Sequence, residues 1–215
     1  KWWDDIGGTF GITDGNSAWF NANSGTSEAW IYTHASLNGA LYTGRNYLVQ
    51  YKGMDKSTPP NTGPSSDGLN ALFTLANDSV TFTADRLEPV SRTTFPRDNA
   101  RLKTLATITG TAADTDSGIA AMGQLAVSMR EVSPAAGWWN GVVPGTFTAA
   151  SETFYPLAAG IDGNFTTPPA WSFSAPALRD GYAYRVRVRA TDNALPGGNA
   201  EAAISSITFV YDITA

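Results

Sequence analysis

Acidic side chains in turn-rich segments are the first residues of this chain that suggest chemistry, and that chemistry is calcium binding. The candidate ligands are Asp85, Glu88, Asp114, Asp116 and Asp192. Calcium takes about six to eight oxygen ligands, which carboxylates supply well. The segments that hold these residues are also rich in ordinary turn formers, and an EF-hand spacing is absent from the sequence. A calcium site and a purely structural turn therefore both remain open.

Two pairs of adjacent tryptophans, Trp2-Trp3 and Trp138-Trp139, offer a second kind of site. Neighbouring residues on a β-strand point to opposite faces of a sheet, so at most one member of each pair enters a core. The other tryptophan either covers an edge of the fold or presents a ring on which a sugar stacks. The repetition of the pair favours a structural role, and a carbohydrate-binding platform is the alternative.

Catalytic constellations are not found in the sequence. His34 is the only histidine, and no G-x-S-x-G, H-E-x-x-H or P-loop pattern occurs. Glu131 and Glu152 would form a glycosidase pair only if the fold placed them together. The chain has no cysteine, which excludes zinc–thiolate sites, iron–sulfur clusters and thiol nucleophiles. We expect a protein that is not an enzyme and that has no cofactor apart from the candidate calcium.

These residues lie in two copies of one sequence pattern. Six blocks recur in the same order, which indicates an internal repeat. The blocks pair Trp2-Trp3 with Trp138-Trp139, Gly8-Thr9-Phe10 with Gly145-Thr146-Phe147, Trp19-Phe20 with Phe154-Tyr155, Trp30-Ile31-Tyr32 with Trp171-Ser172-Phe173, 41–55 with 178–192, and 80–85 with 207–212.

Residues 90–137 precede the second copy and have no counterpart before the first. We therefore expect 88–215 to be one complete module and 1–87 to be the C-terminal part of an earlier module without its first strands. Either sequence upstream of Lys1 supplies those strands, or a neighbouring chain does so by strand addition.

Strands are the elements that would position these residues. The chain has 215 residues, of which only 15% are charged while 21 are Gly and 12 are Pro, and this balance suits many short strands joined by turns. "RVRVRA" (185–190) alternates, so Val186 and Val188 would face a core and the arginines water. Further strands are predicted at 104–112, 123–131 and 205–213, loops at 56–68 and 193–199, and no helix. The fold class is all-β.

Two patterns resemble known sandwiches. Leu41-x-x-Gly44-x-x-Tyr47 and Leu178-x-x-Gly181-x-x-Tyr184 resemble the tyrosine corner of immunoglobulin and fibronectin type III domains, in which the tyrosine hydroxyl bonds back to nearby backbone. The frame "TITGTAADTDSGI … LRDGYAYRVRVRATDN … FVYD" is similar to bacterial Ig-like repeats. The resemblance implies two tandem Ig-like β-sandwiches, the first lacking its N-terminal strands.

The same resemblance implies a function. Such repeats are structural or adhesive units of bacterial extracellular or cell-surface proteins, and their partners are adjacent modules, other copies or surface glycans. The B–C and F–G loops of an Ig-like sandwich lie at one end, which would gather the five acidic residues at the joint between modules. A filament subunit, completed by a neighbour's strands, and a carbohydrate-binding module are the alternatives.

Charge and hydropathy narrow the range of partners. The formal net charge is −5 with a pI near 4.8, which argues against nucleic acid as a partner. No apolar run approaches the ~20 residues that cross a bilayer as a helix. We expect an extracellular or cell-surface location without membrane insertion.

Overall fold

The computed structural model describes residues 1–15, 18–25, 29–51, 79–119, 124–134, 137–157, 163–167 and 170–214, with side chains omitted at 25 and 163–167. The predicted loop at 56–68 lies outside the described residues. The chain divides into two compact units, Lys1–Asp85 and Arg86–Ala215. β-Strands dominate both, as predicted, and none of the described helices is long and apolar enough to cross a membrane.

The first unit is built from short antiparallel strand pairs and one helical turn. Its elements are β1 (Trp2–Asp4), β2 (Thr9–Ile12), β3 (Ser24–Gly25), β4 (Trp30–Ile31), α1 (Leu37–Ala40), β5 (Arg45–Gln50) and β6 (Ser79–Ala84). β1 pairs with β2, β3 with β4, and β5 with β6. The sequence did not predict α1, because a single turn of four residues is too short to show a helical period.

The second unit contains two larger sheets. Its strands are β7 (Val90–Phe95), β8 (Ala100–Leu102), β9 (Thr107–Ala113), β10 (Leu125–Ser133), β11 (Gly137–Trp138), β12 (Tyr155–Pro156), β13 (Gly163–Thr167), β14 (Ala170–Ser174), β15 (Tyr182–Ala190) and β16 (Ser205–Tyr211). One sheet has the order β13-β14-β9-β7. The other has the order β11-β10-β15-β16-β8, with β12 also paired to β10.

The central strand β15 shows how the sequence specifies this unit. Val186 and Val188 are completely buried, which confirms the predicted inward face. Arg185, Arg187 and Arg189, which alternate with them, are only partly exposed, whereas the sequence predicted that they face water. Their guanidinium groups lie across aromatic rings, with Arg185 Cζ 5.4 Å from the Trp138 ring and Arg189 Cζ 4.7 Å from that of Phe154. Cation–π contact and burial of the aliphatic stem explain this position.

The core of the second unit fills the space between its two sheets. One sheet contributes Ile108 and Phe173, the other Met129 and Phe209, and all four are essentially buried. Burying one such side chain stabilises a fold by about 1.5–3 kcal/mol relative to leaving it exposed. The unit is therefore a sandwich whose core belongs to both sheets.

The segment that begins the second unit contributes one strand to each sheet. β7 is the edge strand of the first sheet, where it pairs antiparallel with β9. The chain then crosses over, and β8 becomes the edge of the other sheet, where it runs parallel to β16. The remaining strand pairs of the unit are antiparallel, so this pair is the exception among the described strands.

Candidate functional site

Both copies of the Leu-x-x-Gly-x-x-Tyr pattern form the same hydrogen bond. The backbone N–H of Arg179 donates to Tyr184 Oη at 2.7 Å, and that of Tyr42 donates to Tyr47 Oη, also at 2.7 Å. Each tyrosine thereby closes the turn that leads into its own strand. In both copies the hydroxyl accepts a hydrogen bond from the backbone five residues upstream.

The glycine of each pattern has the conformation that the turn requires. Gly44 has φ +72° and Gly181 has φ +76°, the left-handed region that glycine adopts without steric cost. Gly44 N donates to Ala84 O and Gly181 N to Tyr211 O, each at 2.8 Å. Of the two leucines that begin the patterns, Leu178 packs against the core and Leu41 is half-buried.

The two tyrosines differ in what surrounds them. Tyr184 is fully buried, and its hydroxyl faces the buried Glu131, with 3.4 Å between Tyr184 Oη and Glu131 Oε1. The Arg179 guanidinium lies 3.7 Å from the same carboxylate. Burial raises the pKa of Tyr184 to about 12, with the negative charge of Glu131 adding to the effect and the hydrogen bond from Arg179 N opposing it.

This shift predicts a loss of stability in alkali. The tyrosine ionises near pH 10.0 in the unfolded chain but near pH 12 in the folded one. The folded state therefore holds its proton more tightly, and stability is lost as pH rises from 10 towards 12. Wild type should lose up to about 1.4 kcal/mol per pH unit more than Tyr184→Phe over this window. Urea unfolding at pH 9 and pH 11 checks this, and equal losses in the two proteins would contradict it.

Of the adjacent tryptophans of the second unit only Trp139 enters the core, which agrees with the expectation that at most one of the pair does. Trp139 is 1% exposed, stacks on Phe173 and donates from its indole nitrogen to Val142 O at 2.8 Å. It is therefore excluded as a sugar platform. Trp138 is half-buried, and the guanidinium of Arg130 lies 5.1 Å from its ring centroid. The guanidinium of Arg185 also lies over this ring, so Trp138 packs against two arginines of the same unit.

The tryptophans of the first unit also have partners within the fold. Trp3 donates from its indole nitrogen to Tyr32 Oη at 2.7 Å, and the Tyr32 hydroxyl in turn donates to Asp5. The pKa of Tyr32 is raised, mainly by burial and to a smaller extent by this hydrogen bond to Asp5. Trp2 lies against Gly15, where a Cβ would come within 3.0 Å of its ring. The geometry thus supports a structural role for all four tryptophans.

Two of the candidate calcium ligands meet within the second unit. Asp114 and Asp192 each offer a carboxylate oxygen within 4.8 Å of the other. Their loops are joined by a hydrogen bond from Asn193 N to Gly118 O at 3.0 Å. Both carboxylates already accept hydrogen bonds from their own loops. Asp192 Oδ1 accepts from the backbone of Ala194 and Asn199, at 2.9 and 2.7 Å.

The other three candidates do not complete this group within the second unit. Glu88 Oε2 accepts from the backbone N–H of Ala202 at 2.7 Å, so its carboxylate binds the later part of the loop that begins near Asp192. Asp116 donates its backbone N–H to Asp114 Oδ1. Asp85 is the last residue of the first unit. Within this unit the hydrogen bonds of the two carboxylates account for loop closure, and calcium binding, which takes about six oxygen ligands, stays a prediction.

Asp114 gives a test of that conclusion. Its Oδ1 accepts from the backbone N–H groups of Asp116, Ser117 and Gly118, at 3.0, 2.9 and 2.9 Å. Asp114→Ala should destabilise the second unit by about 2–3 kcal/mol, because these donors lose their acceptor. Asp114→Asn keeps that oxygen and removes a charge near Asp192, so it should cost less than about 1 kcal/mol. Urea unfolding with and without calcium checks both, and calcium stabilisation that Asp114→Asn abolishes would reverse the conclusion.

Sequence reasoning missed a buried carboxylate of the second unit that links its two sheets. Glu201 is 5% exposed. Its Oε1 accepts from Ser91 N at 2.9 Å, and its Oε2 accepts from the Ser91 hydroxyl and from Ala190 N at 3.1 Å. Ser91 belongs to β7 and Ala190 ends β15, so one side chain links the two sheets. A signal was present, because Glu201 is a lone charge among alanines in "NAEAA" (199–203).

The candidate catalytic residues are separated or engaged elsewhere. Glu131 points into the core, whereas Glu152 lies on the outer face of the same sheet, where it pairs with Arg187 at 2.6 Å and accepts from Ser128 Oγ at 2.7 Å. The two glutamates therefore cannot act on one bond. His34 accepts at Nδ1 from Ser36 N at 3.1 Å.

Comparison with known proteins found no matching family model, curated protein or solved structure. The internal repeat and the geometry of the two units are therefore the features that bear on function.

Proposed function

We propose that this chain consists of Ig-like modules from a tandem array and that it is a non-enzymatic structural or adhesive part of a bacterial extracellular or cell-surface protein. The order β7-β9-β14-β13 corresponds to the A-B-E-D sheet of an Ig-like sandwich. The order β10-β15-β16 corresponds to its C-F-G sheet. Both sheets of the second unit therefore support an Ig-like architecture.

The observation that carries the proposal is the structural equivalence of the two copies. The tyrosine of each corner lies between two phenylalanines with nearly the same separations. Phe147, Tyr184 and Phe209 are separated by 5.1 and 5.6 Å between ring centroids. Phe10, Tyr47 and Phe82 are separated by 5.2 and 5.6 Å. One module design occurs twice in tandem, which suits a protein that gains length by repeating a stiff unit.

Polar contacts inside the second unit support a mechanical role. Glu201 bridges the two sheets, and Tyr184 fixes the turn before β15 to the backbone. Ser91 and Glu201 are 1% and 5% exposed, and Tyr184 is completely buried. These buried groups therefore strengthen a sandwich.

Single-molecule stretching of the full chain tests the proposal. The second unit holds about 130 residues, so its unfolding should release roughly 430–470 Å of chain in one step, at about 3.3–3.6 Å per residue. Leu195→Ala, at an exposed loop position, is the matched control and should leave the unfolding force unchanged. Gradual extension with no discrete step would contradict a mechanical function.

A further inference from the structure

The first unit has an exposed apolar surface. The corresponding residues in the second copy of the repeat are buried in a core. We call Trp30, Tyr51, Val80 and Phe82 the open face. Trp30 is 46% exposed, Tyr51 37% and Phe82 39%. Three such large apolar side chains on one small unit mark a surface that binds another protein segment.

The repeat shows how buried these positions become in a complete module. Trp30, Tyr51 and Phe82 correspond to Trp171, Val188 and Phe209 in the sequence repeat. Those three are 2%, 0% and 1% exposed. The pairing within each copy is also the same, because Tyr47 lies opposite Phe82 in β5 and β6, as Tyr184 lies opposite Phe209 in β15 and β16.

Three strands of the second unit provide that burial. Val188 pairs with Val127 of β10, and Trp171 pairs with Gly110 of β9. Phe209 lies beside Ala100 of β8. All three partner strands come from residues 100–133, the segment that has no counterpart ahead of β1 in the sequence.

The backbone edges of the first unit match the same segment. Among the strands that the structure describes, β5 pairs with β6 alone and β4 with β3 alone. Their equivalents in the second unit are flanked on both sides, β15 by β10 and β16, and β14 by β9 and β13. A strand edge with free N–H and C=O groups is a template for strand addition.

We propose that the open face binds a copy of the strand segment 100–133 of this same repeat, which completes the first sandwich. An unrelated partner would have to match both strand edges and the apolar face at once, whereas this segment already matches their equivalents in the second unit. Ile108 and Met129 of the added copy would cover the open face as they cover the core around Phe173 and Phe209. The inference rests on the repeat and on the exposures, and it holds whatever the location of the protein.

The test extends the full chain with a copy of residues 88–136 placed directly before Lys1. Lys1 aligns with Gly137, so this junction keeps the native spacing. Amide hydrogen exchange in β5 and β6 should slow by about tenfold or more, because opening then requires undocking of the added strands. Dye binding to exposed apolar surface should fall in parallel. Exchange in β15 and β16 is the internal reference and should not change.

The matched control carries Ile108→Asp and Val127→Asp in the added copy only, so that the extension keeps its length but cannot bury its inner face. Protection of β5 and β6 should then be lost. Equal exchange in the two extended chains would overturn the proposal. So would strong protection in the unextended chain that rises with protein concentration, because two open faces would then cover each other without an added segment.

Discussion

Glu201→Ala is expected to destabilise the second unit by about 3–5 kcal/mol, because three buried donors lose an acceptor at once and only the Ser91 hydroxyl has another, Val188 O at 3.2 Å. Two of these donors are backbone N–H groups, of Ser91 and Ala190, which cannot turn towards water. The third is the Ser91 hydroxyl. Since Ser91 lies in β7 and Ala190 in β15, the damage should spread to both sheets. Urea unfolding followed by circular dichroism measures the change.

Two further substitutions resolve the contributions to this effect. Glu201→Gln keeps one acceptor oxygen and should lose about half as much, whereas Ser91→Ala removes the hydroxyl but keeps the backbone donor and should lose about 1 kcal/mol. Glu88→Ala is the matched control, because the exposed Glu88 accepts a single N–H from Ala202. Its cost should stay below about 1 kcal/mol. If Glu201→Ala proved as mild as Glu88→Ala, the bridge between the sheets would contribute nothing to stability.

Gly110→Ala is expected to prevent the second unit from folding, or to cost more than about 4 kcal/mol. A Cβ at this position would lie 2.1 Å from the carbonyl oxygen of Arg92 and 2.1 Å from the Trp171 ring. The first neighbour is backbone in β7 and the second is a buried side chain. Neither can move without separating β9 from an adjacent strand. Loss of the cooperative unfolding transition would report the effect.

The control for Gly110 is a glycine that needs its conformation but has free space. Gly118 has φ +72°, and a Cβ there would meet no atom within 4 Å. Gly118→Ala should therefore cost only about 1 kcal/mol, the strain of a left-handed alanine. A cooperative transition of wild-type stability in Gly110→Ala would show that β9 can shift away from its neighbours.

The residues whose roles come from local pattern were predictable. Strict alternation in 185–190 was sufficient to place Val186 and Val188 inside, because a strand's side chains alternate whatever lies beyond them. The resemblance of Leu178, Gly181 and Tyr184 to a tyrosine corner likewise implied a turn that closes on itself within seven residues. In both cases the cause and its effect lie in the same short stretch of chain.

Roles that depend on distant partners were not predictable. Glu201 bonds to Ser91, 110 residues away, and nothing near either residue indicates the other. Gly110 looks like a weak point in a strand until Trp171 is seen against it. The acidic loops are a further example of roles that local sequence does not determine. Their composition suggested ligands, but only the fold shows that Asp114 and Asp192 use their oxygens on their own loops and that Glu88 faces Ala202.

The parallel pairing of β8 with β16 has a mechanical consequence. Asn99 N donates to Thr208 O at 2.6 Å and Asp212 N donates to Leu102 O at 2.9 Å, so hydrogen bonds at both ends of β8 join it to the C-terminal half of β16. Because the strands run in the same direction, tension between the N-terminal end of β8 and the C-terminal end of β16 acts along them in shear. All the bonds then share the force, whereas peeling an antiparallel hairpin from its open end breaks them one after another.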